Sequence, residues 1–273
     1  MGPVSNLATL FPPMDAATIS SKGFRHYKTP EGDFPSVTTV LKILGLGTEG
    51  LIAWSGREER KIVLAACAEV CAAENTPDAP AEFVAAVEAN LGTARAHQRL
   101  LNKAAEIGTS IHEAIQWTLR VEIGEDPGPK PQLTDPAEVA FMSWSDWWAS
   151  KGLRAVRVEQ PIWNADEGYA GTIDLIAEGP EGLELWDWKS SAGVYEGHHI
   201  QAAAYVVAAN RWAPVRPGGI LHLPKDLNGD LAVKEHRIGD LYGGKKRTVD
   251  ELFRAFCHTV ALWNMFVRPE GKE

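Results

Sequence analysis

The sequence predicts a mixed α/β fold, a mixed α+β sheet flanked by helices with a helical cap ahead of it. Three observations carry that expectation. Short apolar or alternating runs cluster between residues 154 and 189 and recur after residue 219. Longer stretches on either side repeat their apolar residues at helical spacing, and glycine, proline and Asn-Gly punctuate the joints.

Residues 1–34 hold several Pro and Gly without a sustained period and read as an N-terminal arm. One domain is expected over residues 35–273, with a helical cap at 35–107, a core at 108–240 and a C-terminal helix within 246–267. From Leu51 to Lys103 the chain is Ala-rich and charged, and a break around Asn75 to Pro80 separates two helices of the cap. Gly124 to Pro136 is a loop carrying four prolines. Pro136 then opens a helix lined by Phe141, Trp144, Ser145 and Trp148 that Gly152 stops. Strands are expected at about 154–163, 168–177 and 183–189, followed by a helix carrying Gln201. Strands near 219–223 and 231–237 join across Asn228-Gly229, a strong turn signal. The last helix, Val249 to Phe266, buries Leu252, Phe253, Phe256, Val260 and Trp263.

At 273 residues and 45% hydrophobic the chain can bury a large core. No apolar run approaches membrane-spanning length, and no basic patch followed by an apolar stretch opens the sequence. No membrane partner is expected, and cytoplasmic residence is the default. The three cysteines, Cys67, Cys71 and Cys257, read as free thiols.

The chemistry concentrates in Gly171-Thr172-Ile173-Asp174, then Asp187-Trp188-Lys189, then Gln201 and Tyr205. If Gly179-Pro180-Glu181-Gly182 closes a hairpin with residues 179 and 182 paired, the register sets 178 opposite 183 and 174 opposite 187. Asp174 and Asp187 then share a face, and Lys189, two residues on, joins them. Two like charges roughly 4 Å apart repel by about 4 kcal/mol at an effective dielectric of about 20, a cost that a divalent cation between them reverses. Hard oxygen ligands favour Mg2+ or Mn2+, whose retained waters can supply a hydroxide, with Lys189 orienting that water or neutralising phosphate. Ile173, Leu175, Trp186 and Trp188 are expected on one face and Ile176, Leu183 and Leu185 on the other, as in a central strand covered by helices. The plainer alternative is a surface hairpin with a weak Asp–Lys ion pair. Glu159 lies in the alternating segment Val156 to Trp163, where it either serves a metal or is an exposed strand glutamate. Gln201 and Tyr205 share a helical face, and Ala202 to Ala204 permit close packing on a sheet. Ser110 and Glu113 form a plausible capping box that puts His112 in the first turn of a helix.

In this order the residues resemble the RecB-like branch of the PD-(D/E)XK nucleases. That branch includes CRISPR-associated RecB-like, phage recombination and mitochondrial genome maintenance exonucleases. The resemblance runs from Pro35-Ser36-Val37-Thr38-Thr39-Val40-Leu41 through Gly108-Thr109-Ser110-Ile111-His112, Glu159, Tyr169, Gly171 and Asp174 to Gln201-x-x-x-Tyr205, about residues 35–210. It implies a restriction-endonuclease-like core and a metal held by His112, Asp174, Asp187 and the Trp188 carbonyl. It also implies a catalytic group of Lys189, Asp187, Asp174, Glu159, Gln201 and Tyr205. The implied activity is Mg2+- or Mn2+-dependent hydrolysis of DNA, by an exonuclease of phage recombination or DNA repair. Partners would be single- or double-stranded DNA ends and a recombination or single-strand-annealing protein. The alternative is an inactive nucleic-acid-binding or recombination-partner module of the same fold. Some relatives hold an iron-sulfur cluster on four cysteines; this chain has three, and Cys67 and Cys71 read better as small buried hydrophobes.

Two glycine motifs point elsewhere and fail on context. Gly45-Leu46-Gly47-Thr48-Glu49-Gly50 matches a dinucleotide fingerprint, and Ser36 to Leu44 could pass for its strand, but no second strand follows within 50 residues. Gly243-Gly244-Lys245-Lys246-Arg247-Thr248 lacks P-loop spacing. A net charge of −9 opposes tight nonspecific DNA binding, so basic groups at Arg57 to Lys61, Arg95 to Lys103, Lys151 to Arg157 and Lys245 to Arg247 would have to act locally.

Overall fold

The structure, a computed structural model, describes residue 11 and residues 18–21, 24–46, 48–73, 76–77, 79–91, 96–224 and 231–267. The chain forms two compact units, Met1–Leu46 with Gly108–Glu273, and Gly47–Ile107. Residues 35–46, expected in the cap, thus belong to the first unit.

Three short strands open it: β1 (Thr18–Ser21), β2 (Phe24–Thr29) and β3 (Gly32–Pro35), paired as an antiparallel sheet. This corrects the expected aperiodic arm. Strands of four to six residues carry too little alternation to show in sequence, and they are held by pairing and by Tyr27, buried with Trp163 and Ala170. Ser36 caps α1 (Val37–Leu41), its Oγ accepting the Thr39 N–H at 3.0 Å. One 3-10 turn follows and closes at Gly45, whose φ of 58° suits glycine. The stretch before the glycine motif is therefore helical and supplies no strand for a dinucleotide crevice.

In the second unit, α2 (Thr48–Ala72) and α3 (Pro80–Leu91) pack through Ala66, Val70 and Val87, with Cys67 beside them. Helix α4 (Ala96–Glu122) begins there and ends in the first unit. His112 consequently lies inside a long helix, and the Ser110/Glu113 capping box does not form. The sequence around it has no strong breaker: Gly108 costs about 1 kcal/mol against Ala, outweighed by the buried stripe Ile111, Ala114, Ile115 and Leu119. The helix stops at Gly124 (φ 84°), where the Glu125 N–H bonds the Arg120 carbonyl at 2.9 Å and the Gly124 N–H bonds that of Val121 at 3.0 Å.

Helix α5 (Asp135–Lys151) starts after Thr134 and ends at Gly152, φ 65°. Strands β4 (Arg154–Asn164), β5 (Tyr169–Gly179) and β6 (Gly182–Lys189) form an antiparallel meander. Helix α6 (Glu196–Ala209) carries the chain back so that β7 (Val215–His222) runs parallel to β6, as a parallel neighbour requires. Strand β8 (Lys234–His236) adds antiparallel to β7, giving the order β4-β5-β6-β7-β8, and α7 (Val249–Phe266) follows. The Asn228-Gly229 turn lies outside the described residues.

Helices α6 and α7 cover one face, where Ile176, Leu183 and Leu185 share a cluster with Ala203, Ala204, Phe256 and Val260. On α5, Trp144 meets Trp188 edge-on at 6.2 Å and Trp147 meets Trp186 at 5.0 Å. Ile173, expected with the tryptophans, packs in the same cluster as Ile176. Strict alternation therefore breaks along β5 at Asp174–Leu175. Across the sheet, on β4, Glu159 has a φ of 49°, the left-handed region that a non-glycine residue rarely occupies. The irregularity sits in the middle of the candidate site.

Candidate metal centre

Each side chain of the centre is positioned by a different constraint. The β5–β6 ladder starts at Gly179↔Gly182, runs through Glu178↔Leu183 and is last paired at Leu175↔Trp186. Continued by one step, its register sets Asp174 opposite Asp187. There the backbone ladder gives way, and Asp174 Oδ2 accepts the Trp188 N–H at 2.8 Å. The Lys189 carbonyl turns to the β7 side, accepting the Leu223 N–H at 2.9 Å, so alternation turns the Trp188 carbonyl toward β5. Likewise, Val158↔Leu175 and Gln160↔Ile173 bracket Glu159 opposite Asp174.

His112, Glu159 and Asp174 each offer a ligand atom, and these atoms lie within 4.8 Å of one another. Three elements, α4, β4 and β5, thus converge on one point. Asp187 stands outside that trio: its Oδ2 is enclosed and paired with Lys189 Nζ at 2.5 Å. The ion pair is what compensates its burial.

Burial raises every carboxyl here. Glu159 is pushed up to about 8, first by burial and then by Asp174, against the opposing pull of Arg120 and Arg25. Burial also raises Asp174, against Lys189 and the Trp188 N–H. Asp187 rises to about 6, burial outweighing Lys189. For Lys189, burial alone would lower the ammonium's pKa, but Asp187 and Asp174 more than reverse it, so the net shift is upward. Lys189 is therefore a cation at neutral pH, suited to stabilise negative charge and unsuited to act as a base.

Gln201 and Tyr205 are both buried on α6, and Gln201 Nε2 donates to the Tyr205 hydroxyl at 3.1 Å. Burial lifts the Tyr205 phenol well above its ordinary value, with Tyr27, Asp187 and Asp174 adding to the rise. The ring lies over Gly171: a Cβ there would stand 2.3 Å from Tyr205 Cε1. Gly171 precedes Asp174 because only a bare backbone lets α6 come this close.

His198 and His199 stay neutral. His198 Nδ1 accepts the Tyr195 N–H at 3.1 Å, and burial followed by Lys189 pushes it down to about 3. His199 Nδ1 accepts from the Gly239 N–H at 3.2 Å, and burial, then His236, lowers it. Sequence reasoning missed Arg120 and Arg25, which face Glu159. Arg120 was within reach, lying eight residues after His112, about 80° round the helix and so within one broad stripe.

No helix among the described residues is long and apolar enough to cross a membrane. Comparison with protein-family models and with curated proteins gives no match to this chain.

Proposed function

We propose that this chain is a metal-dependent deoxyribonuclease with a PD-(D/E)XK core, acting as an exonuclease on DNA ends in recombination or repair. One observation carries the proposal: His112, Glu159 and Asp174 converge within 4.8 Å beside a buried Asp187–Lys189 ion pair. The carboxylate oxygens suit Mg2+ or Mn2+, the imidazole nitrogen favours Mn2+ of the two, and a cation would offset the mutual repulsion of carboxylates buried this close together. His112, Glu159 and Asp174 would hold the ion, with Asp187 and the Trp188 carbonyl as the adjoining donors. When bound, it would supply an acidified water and offset phosphate charge.

The chain's own groups do the rest. Asp187 fixes Lys189, which presents its ammonium to a phosphate oxygen. Tyr205 and Gln201, both neutral, hold the floor of the site through Gly171 and act as hydrogen-bonding orienters. The mixed sheet, with its antiparallel meander and helix-linked parallel strand, supports the fold reading. The exonuclease part and a recombination or single-strand-annealing partner rest on family likeness alone.

Asp187→Ala is expected to abolish Mg2+-dependent release of nucleotides from end-labelled DNA while leaving the far-UV spectrum unchanged. EDTA should stop the wild type, and Mg2+ or Mn2+ should restore it. Turnover retained by the variant, or in EDTA, counts against the proposal. Rapid cutting of a covalently closed circle would make it an endonuclease.

A further inference from the structure

Two arginines beside this centre share a distant partner, Glu125. Arg120 Nε is enclosed yet makes no hydrogen bond, and its ion-pair contact, Glu125 Oε2, stands 3.6 Å away on a half-exposed side chain. Glu125 is held there by its backbone, since the turn that ends α4 bonds its N–H to the Arg120 carbonyl. Arg157 stands on the strand that the end of α4 touches, where the Ala155 N–H donates to Glu122 Oε1 at 3.3 Å, and it also feels Glu125. Among the described residues its guanidinium reaches its neighbour's Val156 carbonyl, at 3.5 Å, a marginal contact. Arg157 is presented by a bulge in β4, where the register slips between Ala155 and Arg157, and β4 is an edge strand of the sheet. Two guanidiniums thus share the distant Glu125, and among the described residues Arg120 has besides it only Glu159, a carboxylate of the metal centre, in a chain of net charge −9.

We propose that Arg120 and Arg157 form a phosphate clamp on the substrate strand, binding a phosphate other than the scissile one, with Glu125 as the carboxylate it displaces. The inference rests on the nuclease reading for its substrate class. Guanidinium forks match the paired non-bridging oxygens of a phosphodiester better than a single exposed carboxylate at 3.6 Å. Displacing Glu125 costs little, because an exposed ion pair contributes at most about 1 kcal/mol. The clamp answers the charge problem locally: with Glu159 committed to the metal, a strand is gripped where two guanidiniums stand against Glu125, whatever the sign of the whole surface.

The test is anisotropy of a labelled single-stranded oligonucleotide titrated with the full-length chain in Ca2+ at several salt concentrations. Arg120→Gln/Arg157→Gln is expected to bind at least about 10-fold more weakly, with a salt slope smaller by about 0.7 for one lost phosphate contact. Glu125→Gln is expected to bind about 3-fold more tightly, as a competing anion is removed. Should Arg120→Gln fail to fold, Arg157→Gln and Glu125→Gln change only partly exposed groups and carry the test. Unchanged affinity and slope in both of those overturns the clamp, as does a wild type that binds no oligonucleotide. A wild type that binds through these residues but releases no nucleotides in Mg2+ removes the nuclease reading and leaves the clamp standing.

Discussion

Glu159 combines a positive φ, burial and a carboxyl raised to about 8, and each follows from its place opposite Asp174. A carboxyl that holds its proton more tightly folded than unfolded stabilises the protein below its unfolded pKa, about 4.3 for Glu, and that contribution is lost as pH rises through the folded value. Asp187, raised to about 6, acts the same way at lower pH. His198, pushed down to about 3, opposes both below about 6.5, where its unfolded form takes up a proton. Lys189, raised, contributes only in alkali. Between about pH 6.5 and 8 Glu159, coupled to the raised Asp174 beside it, sets the trend, and the metal-free protein is expected to lose stability at about 1.4 kcal/mol per pH unit for each proton released. Urea unfolding at several pH values reads this slope. Glu159→Gln should reduce it, and an equal slope in that variant would show that other groups carry it. Gly171 gives a second prediction. Gly171→Ala drives a methyl to within 2.3 Å of the Tyr205 ring and is expected to cost about 1–3 kcal/mol, visible as a drop in melting temperature.

At the scale of elements, Ser36 joins three pieces. Its hydroxyl caps α1 and donates to Thr39 Oγ1 at 2.8 Å, its N–H donates to the Arg25 carbonyl at 2.9 Å, and it bridges to Ala170 of β5. Ser36→Ala leaves the Thr39 N–H without its acceptor and is expected to cost about 1–2 kcal/mol in urea unfolding, with no change in the slope of the transition. A cost near zero would mean that water replaces the cap. The elements most legible in sequence were those with strong punctuation. Gly179 and Gly182 set the β5–β6 register, Gly152 ended α5, and the stripe Leu252 to Trp263 marked α7 from Val249 to Phe266. The errors have physical causes. Ser110 and Glu113 looked like a cap because local chemistry cannot reveal that Ile111, Ile115 and Leu119 are buried by tertiary packing. Strands β1 to β3 were too short for periodicity. Among the site residues, Asp174, Asp187 and Lys189 followed from hairpin register alone. That Glu159, rather than Asp187, lies within ligand distance of His112 and Asp174 required the broken alternation on β4 and β5.

For the whole molecule, the centre is assembled from segments far apart in sequence: α4 supplies the imidazole, β4 and β5 the carboxylates, β6 the ion pair, and α6 the hydrogen-bonding floor. Such a site exists only in the folded chain, so a bound cation stabilises the native state by mass action. The central claim is that His112, Glu159 and Asp174 together hold a divalent cation, and calorimetric titration of Mn2+ into the purified protein at pH 8 tests it most directly. Asp174→Asn is the variant of choice, since an amide oxygen still accepts the Trp188 N–H while the charge is gone. The wild type is expected to bind Mn2+ with a saturable heat and the variant at least about 10-fold more weakly, a loss of about 1.4 kcal/mol or more. Equal binding by the two proteins would contradict the site.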